Sequence, residues 1–248
     1  MKLINSEENF IEKDISFVSD GFALKGTLHL PEALQPPVVI GSHGLYSSKD
    51  SPKQIALARS CNRLGMAYFR FDHRGCGSSQ GEFAKVTSLA SRCRDLRDAV
   101  EAIRNHGEAG WPIGLFGSSM GGTVSLTVAD ELGAAAIVTF AAPICSQIHL
   151  GKIAHSTGYN TEAIFFDSQK HAFDITEKLS KIRNILIIHG DADKTVMLSH
   201  AREIYRLAGI PKKLIVQQNG DHRMSDINHQ NEFLCEASNW FKSGLSGA

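Results

Sequence analysis

A serine between two glycines is the first feature of this sequence that could do chemistry. Ser119 lies in G-S-S-M-G, residues 117–121, directly after an apolar run and directly before small and apolar residues of helical character. A strand, a sharp turn and a helix in that order present a serine hydroxyl at the tip of the turn, and the two glycines leave room for its strained backbone. This context predicts that Ser119 is a nucleophile.

A second stretch has the same spacing but a different context. Ser79 lies in G-S-S-Q-G, residues 77–81, where polar D-H-R-G comes immediately before the motif and no helix-forming run comes immediately after it. Without a strand and a helix on either side, the glycines are those of an ordinary loop. We therefore interpret Ser79 as a loop serine.

A serine hydroxyl is a poor nucleophile at neutral pH and needs a base, which in turn needs an orienting acid. Two later apolar runs each end in suitable side chains. Asp191 and Asp193 follow the first of these runs, and His222 follows the second. The chain order is thus serine, aspartate, histidine, and spacing alone does not separate Asp191 from Asp193.

Other interpretations of these residues remain open at this point. Either aspartate could cap the helix that begins near Thr195, and His229 is an alternative base. An Asp-x-Asp pair can also bind a metal, but no cluster of carboxylates or histidines at ligand spacing completes such a site. The sequence predicts no metal and no cofactor.

Acyl transfer also requires donors for the oxygen on which negative charge develops. The backbone N–H of Met120 lies at the first turn of the helix after Ser119, at the positive end of the helix dipole. A second donor is expected on the loop after strand 38–40, where S-H-G-L places the backbone N–H of Leu45 near the turn. Leu45 and Met120 are therefore the predicted oxyanion donors.

The elements that position these residues alternate along the chain. Residues 14–30 alternate apolar and polar side chains around Ser19 to Gly21, which predicts a β-hairpin. Strands alternating with helices then predict a parallel sheet with helices on both faces. Strands are expected at 38–40, 66–71, 113–116, 134–140, 185–188 and 214–216, with helices from 52, at 88–106, after 119, at 196–207 and at 227–241.

Residues 143–183 interrupt this alternation with aromatic side chains, helical patches and no strand. Inserted between two strands at the edge of the sheet, the segment is expected to form a small helical cap over the site of one domain, residues 1–248. The predicted substrate contacts are Ile148, Phe165, Phe166 and Phe173. The alternative for each is that it packs the cap onto the rest of the domain.

Composition excludes several classes of function. Acidic and basic residues balance at 26 each, so no net field favours nucleic acid or an anionic membrane. The N-terminus has no apolar signal region and no stretch approaches 18 apolar residues, so we expect a cytoplasmic protein without a membrane span. Five scattered cysteines without C-x-x-C indicate neither a disulfide framework nor a zinc site. The sequence does not indicate an oligomeric state.

Five motifs together resemble those of the α/β-hydrolase superfamily. They are H-G-L at 43–45, D-H-R-G-C-G-S-S at 72–79, G-S-S-M-G at 117–121, H-G-D-A-D-K-T-V at 189–196 and G-D-H at 220–222. The chain is similar to the branch that contains feruloyl and cinnamoyl esterases, monoacylglycerol lipases and serine aminopeptidase-like hydrolases. This resemblance covers nearly all of the chain except 143–183, and it implies a mostly parallel eight-stranded sheet with an N-terminal antiparallel hairpin.

The resemblance also implies roles for individual residues. Ser119 matches the family's nucleophile and His222 its base. Asp193 matches the acid, because the family's H-G-x-x-D pattern places the acid three residues after the glycine. Leu45 and Met120 match the oxyanion donors, while Asp72 and Arg74 match a pair that braces a loop.

These features predict a serine hydrolase that cleaves carboxylic esters with small or aromatic acyl groups through an acyl-enzyme. The expected partner is a small-molecule ester. A thioesterase, or an amidase or peptidase with the same triad, is the alternative enzyme. The alternative of another class is a catalytically silent protein that binds a small ligand, since a fold does not determine a function.

Overall fold

The computed structural model describes residues 11–146 and 172–246. An eight-stranded sheet runs through it in the order β1-β2-β4-β3-β5-β6-β7-β8. The strands are β1 Ile11–Ser19, β2 Phe22–Leu30, β3 Pro37–Ser42, β4 Ala67–Phe71, β5 Gly110–Ser118, β6 Ala136–Phe140, β7 Ile185–Gly190 and β8 Lys212–Gln217. The pairs β1–β2 and β2–β4 are antiparallel and the other pairs are parallel. The predicted mostly parallel sheet with its N-terminal hairpin is confirmed.

Helices cover both faces of this sheet. They are α1 Pro52–Arg63, α2 Phe83–Val86, α3 Leu89–His106, α4 Met120–Leu132, α5 Leu198–Leu207 and α6 Ile227–Leu245, with a 3₁₀ helix at Thr176–Lys181. Helices α3 and α4 pack together, and α1 packs against α6. No helix in the described ranges combines the length and the apolar character that a bilayer crossing requires.

Alternation along the strands divides the core between the two faces. In β3, Val38 and Ile40 pack with the α3 and α4 side, whereas Val39 between them packs with α1 and α6. Successive strand side chains point to opposite faces, so a fully apolar strand contributes side chains to the hydrophobic core on each face of the sheet. This arrangement explains why the central strands carry apolar runs rather than alternating patterns.

The helix boundaries follow local signals that the sequence contains. Ser51 caps α1 directly before Pro52, and Ser88 forms a capping box with Ser91 at the start of α3. Gly107 ends α3 in the left-handed conformation, with φ 79°. One element was not expected: α2 is a single helical turn that begins shortly after Gly81, where the sequence predicts no element.

Candidate active site

Ser119 lies between β5 and α4 in a conformation that few residues adopt. Its φ of 52° and ψ of −123° fall outside the regions that are relaxed for a residue with a side chain. Its N–H donates to the carbonyl of Phe140 at 2.7 Å. A Cβ on Gly117 would enter the backbone of Gly121, and one on Gly121 would enter the carbonyl of Ser42. The strained turn is therefore held by neighbouring strands and by the absence of two side chains.

We expect Gly117→Ala to destabilise the protein by about 3 kcal/mol or more, because the added methyl group meets backbone that cannot move aside. Gly133→Ala, at the other end of α4, is the matched control. Its Cβ would meet open space, and a side chain at its φ of 63° costs only about 1–2 kcal/mol. Urea midpoints of the two variants measure the difference, and equal midpoints would contradict a crowded turn.

His222 connects Ser119 to Asp193 in a continuous row. Its Nε2 lies 3.1 Å from Ser119 Oγ, and its Nδ1 lies 2.7 Å from Asp193 Oδ2. A carboxylate accepts only, so Nδ1 donates and Nε2 is left to accept the proton of the serine hydroxyl. Among the described residues, it is His222 and not His229 that lies against Ser119. The geometry is that of a nucleophile, a base and an orienting acid.

The Asp193 carboxylate has two tasks in the structure. Its Oδ1 accepts the backbone N–H groups of Thr195 and Val196 at 2.8 and 2.9 Å, while Oδ2 faces His222. Burial alone would raise the pKa of Asp193, but hydrogen bonds from His189 and His222 outweigh it and hold that pKa well below its ordinary range. Asp193 is thus a buried carboxylate that both caps a turn and holds the histidine.

Asp191 has a different environment. Its side chain is exposed at the surface and accepts the backbone N–H of Asn219 at 2.6 Å, so it ties the loop after β7 to the loop after β8. The structure thus brings Asp193, rather than Asp191, to His222.

Met120 is the first residue of α4, directly after Ser119, and Leu45 follows Gly44 on the loop after β3. A Cβ on Gly44 would lie 3.6 Å from the Cβ of Ser119, which places the start of this loop beside the serine. Within the part of the chain that the structure describes, neither the Leu45 nor the Met120 N–H donates a hydrogen bond to the protein. Their role as oxyanion donors stays a prediction.

Lys53 was not predicted, because nothing in the sequence marks a surface-type residue in α1 as a neighbour of the site. Its Nζ lies 3.8 Å from the ring centre of Phe140 and 3.4 Å from the hydroxyl of Ser118. Burial lowers the pKa of Lys53 to about 7, against the opposing effect of Asp221 and Asp193. A lysine whose charged form is disfavoured by burial therefore lies next to the turn.

The same three side-chain types align a second time behind the site. Ser42 Oγ lies 2.8 Å from His73 Nε2, and His73 Nδ1 lies 3.3 Å from Asp95 Oδ2. All three residues are fully buried, so no substrate can reach them. Asp95 also accepts from Arg74 at 2.8 Å. This second row is a structural network that supports the end of β3.

Four buried histidines lead to a prediction about acid stability. Burial, with nearby cations, lowers the pKa values of His29 and His73 to about 4 and that of His43 well below 6.5, and burial with His189 lowers that of His200 to about 4. The folded state thus prefers neutral imidazoles, so their contribution is complete above pH 6.5 and is lost as the pH falls towards 4. Between pH 6.5 and pH 4, we expect each of these four histidines to lower the free energy of unfolding by up to about 1.4 kcal/mol for every unit by which the pH falls. Urea midpoints at pH 7 and pH 5 test this, and equal midpoints would contradict it.

Asp72 and Arg74 both stabilise the loop that contains Ser79, as the family resemblance implies, but they do not bind each other. Ser79 Oγ donates to the Asp72 carbonyl at 2.6 Å and accepts the Lys25 N–H at 3.0 Å. The Asp72 carboxylate accepts the N–H groups of Lys49 and Ser78. Arg74 binds Asp95 instead of Asp72. The two residues brace the loop separately rather than as a pair.

The predicted substrate contacts are only partly within the described structure. Phe173 is 8% exposed and belongs to the core on the α3 and α4 side, and its backbone pairs with Ser146. Ile148, Phe165 and Phe166 lie outside the described residues. A role in substrate binding stays a prediction for all four, as does the cap at 143–183.

The strand order, with a strained serine after β5, places this chain in the α/β-hydrolase superfamily. The model of one family, described as serine aminopeptidase, S33, matches residues 35–165, which is more than half of the 248 residues. The chain belongs to that family. The matched range includes Ser119 and both predicted oxyanion donors, but it ends before Asp193 and His222.

The chain is also similar to individual proteins. The chain is 32% identical over 163 residues to the uncharacterized protein YfhR of Escherichia coli K12, covering 62% of this chain and 52% of that protein. The chain thus spans about half the length of that curated relative. It is 25% identical over 223 residues to the mitochondrial palmitoyl-protein thioesterase ABHD10 of Mus musculus, covering 80% of this chain and 73% of that protein.

The fold is also that of solved structures. The ferulic acid complex of Est1E from Butyrivibrio proteoclasticus superposes with a TM-score of 0.78 at 18% identity, covering 93% of this chain and 98% of that chain.

Proposed function

We propose that this protein is a serine hydrolase that cleaves carboxylic esters through an acyl-enzyme. The observation that carries the proposal is the row from Ser119 through His222 to Asp193, with contacts of 3.1 and 2.7 Å. Membership of the serine aminopeptidase, S33, family supports it. The side chain of Asp193 is fully buried and that of His222 is 15% exposed, so the acid is shielded from water while the base is reachable from solvent.

In the proposed reaction, Ser119 Oγ attacks the acyl carbon while His222 Nε2 takes the hydroxyl proton. The resulting imidazolium is stabilised by the ionised Asp193, which stays charged because its pKa is held well below its ordinary range. His222 then returns the proton to the leaving alcohol. Water attacks the acyl-enzyme in the second half of the reaction, with the same histidine as base.

The oxygen of each tetrahedral intermediate would lie between the N–H groups of Leu45 and Met120. The positive end of the α4 dipole is at Met120, so this helix start also favours the negative charge. Both donors belong to the backbone and are held by packed elements. They can therefore stabilise the charge without reorganising during the reaction.

Thioesters are the second candidate substrates. The observation that favours them is the resemblance to the mouse protein named palmitoyl-protein thioesterase, which extends over 80% of this chain. The same serine, histidine and donors would serve a thioester, because only the leaving atom differs.

Covalent labelling tests the proposal directly. A fluorophosphonate probe is expected to label the peptide that contains Ser119, and heat-unfolded protein serves as the control for unspecific reaction. Matched ester, thioester and amide substrates with one acyl group then separate the enzyme classes. p-Nitrophenyl esters from acetate to laurate measure the acyl preference. Absence of both labelling and hydrolysis would favour a silent ligand-binding protein instead.

A further inference from the structure

Arg92 of α3 is the largest fully buried side chain of the described structure. Its guanidinium donates to the carbonyls of three successive residues: His43 at 3.2 Å, Gly44 at 3.4 Å and Leu45 at 2.8 Å. A buried guanidinium is costly unless acceptors satisfy it. Arg92 therefore draws the carbonyl groups of this loop to one side.

The geometry of the peptide group determines where the N–H groups then point. The carbonyl and the N–H of a trans peptide point in opposite directions, and the bond between Gly44 and Leu45 is trans. The Gly44 carbonyl also accepts from His43 Nδ1 at 2.7 Å and from the Ser47 N–H at 3.3 Å. With that carbonyl turned towards Arg92, the N–H of Leu45 points away from it.

His43 supports the same orientation. Its Nδ1 donates to the Gly44 carbonyl, and its Nε2 accepts the His73 N–H at 3.1 Å, so the ring is neutral with its proton on Nδ1. Burial and the charge of Arg92 lower the pKa of His43, which keeps it in that state.

We propose that Arg92 is a positioning residue that aims the Leu45 N–H at the oxyanion and places a positive charge behind it. The cation polarises the peptide between Gly44 and Leu45, which strengthens its N–H as a donor. The inference rests on the proposed function, because an oxyanion forms only if Ser119 attacks an acyl group.

The test compares Arg92→Met and Arg92→Lys with the matched control Arg97→Met. Arg97 lies on the same helix but at the surface, where it binds Glu131. We expect Arg92→Met to lower kcat about 10- to 100-fold with little change in KM, since loss of one oxyanion donor costs about 10²- to 10³-fold. Arg92→Lys keeps the charge but cannot reach three carbonyls, so an intermediate loss is expected. Arg97→Met is expected to keep both constants.

A transition-state analogue distinguishes positioning from partial unfolding. A trifluoromethyl ketone forms a tetrahedral adduct with an oxyanion, and its inhibition constant does not depend on the fraction of active molecules. We expect its affinity for Arg92→Met to fall in proportion to kcat/KM, with the number of active sites counted by fluorophosphonate. Unchanged kcat, or a loss of active sites with unchanged analogue affinity, would overturn the inference.

Two further outcomes are also decisive. If the unsubstituted protein hydrolyses no ester, thioester or amide and is not labelled, the proposed function fails and this inference fails with it. If both Arg92 variants fail to fold, NMR spectra of the unsubstituted protein decide. The trifluoromethyl ketone is then expected to shift both the Leu45 amide and the Arg92 guanidinium signals, and an unmoved guanidinium signal would overturn the inference.

Discussion

Ser119→Ala is expected to lower esterase turnover by about 10⁴-fold or more, because alanine has no hydroxyl with which to form the acyl-enzyme. The alanine keeps Cβ and the strained backbone, so the turn should remain folded. Initial rates with p-nitrophenyl acetate, together with fluorophosphonate labelling, measure the effect. Near-ultraviolet circular dichroism checks that the variant is folded.

Ser79→Ala is the matched control, since Ser79 lies in the second motif of the same spacing. Its hydroxyl binds the Asp72 carbonyl and the Lys25 N–H, so we expect a stability loss of about 1 kcal/mol and a turnover within about twofold of the unsubstituted protein. If Ser79→Ala were inactive and Ser119→Ala active, the assignment of the nucleophile would be wrong.

Asp193→Asn is expected to lower turnover by about 10⁴-fold, as the same change does in a well-studied protease triad. The two backbone N–H groups of Thr195 and Val196 hold Oδ1 and require an acceptor there. The asparagine carbonyl must therefore keep that place, which turns the amide NH₂ towards His222. The NH₂ then donates to Nδ1, Nε2 carries the proton, and the ring can no longer accept from Ser119.

Asp191→Asn provides the comparison on the same loop. Asparagine retains an oxygen for the Asn219 N–H, so the tie between the two loops survives and turnover should fall by less than about tenfold. Steady-state kinetics of both variants, with urea midpoints, measure the two effects separately. A severe loss in Asp191→Asn alone would transfer the role of the acid to Asp191.

The sequence limited the candidate acid to two aspartates, but their spacing did not separate them. Both aspartates follow β7 within three residues of Gly190, so their spacing favours neither. The family pattern favours Asp193. The three-dimensional structure brings that residue to His222 because Asp193 turns inwards to cap the start of the next turn, while Asp191 stays at the surface.

The sequence by itself determined the eight strands, the five longer helices and the strained turn, because these depend on local chemistry. Apolar runs identify buried strands, Ser51 and Gly107 mark helix ends, and Gly117 and Gly121 permit a turn that a side chain would obstruct. Such signals lie within a few residues of the feature they specify, so they can be recognised in the sequence without the tertiary structure.

Only the tertiary structure decided which charged side chains contact the residues next to the candidate site, namely the loop at 43–45 and Ser118. Arg92 and Lys53 are typical helix-surface residues by type, and each reaches the site only because the sheet order puts β3 next to β5 and packs α1 and α3 on opposite faces. Arg92 lies 47 positions from Leu45 in the chain, yet its guanidinium is 2.8 Å from the Leu45 carbonyl. Contacts across such separations depend on how whole elements pack, and no local pattern encodes them.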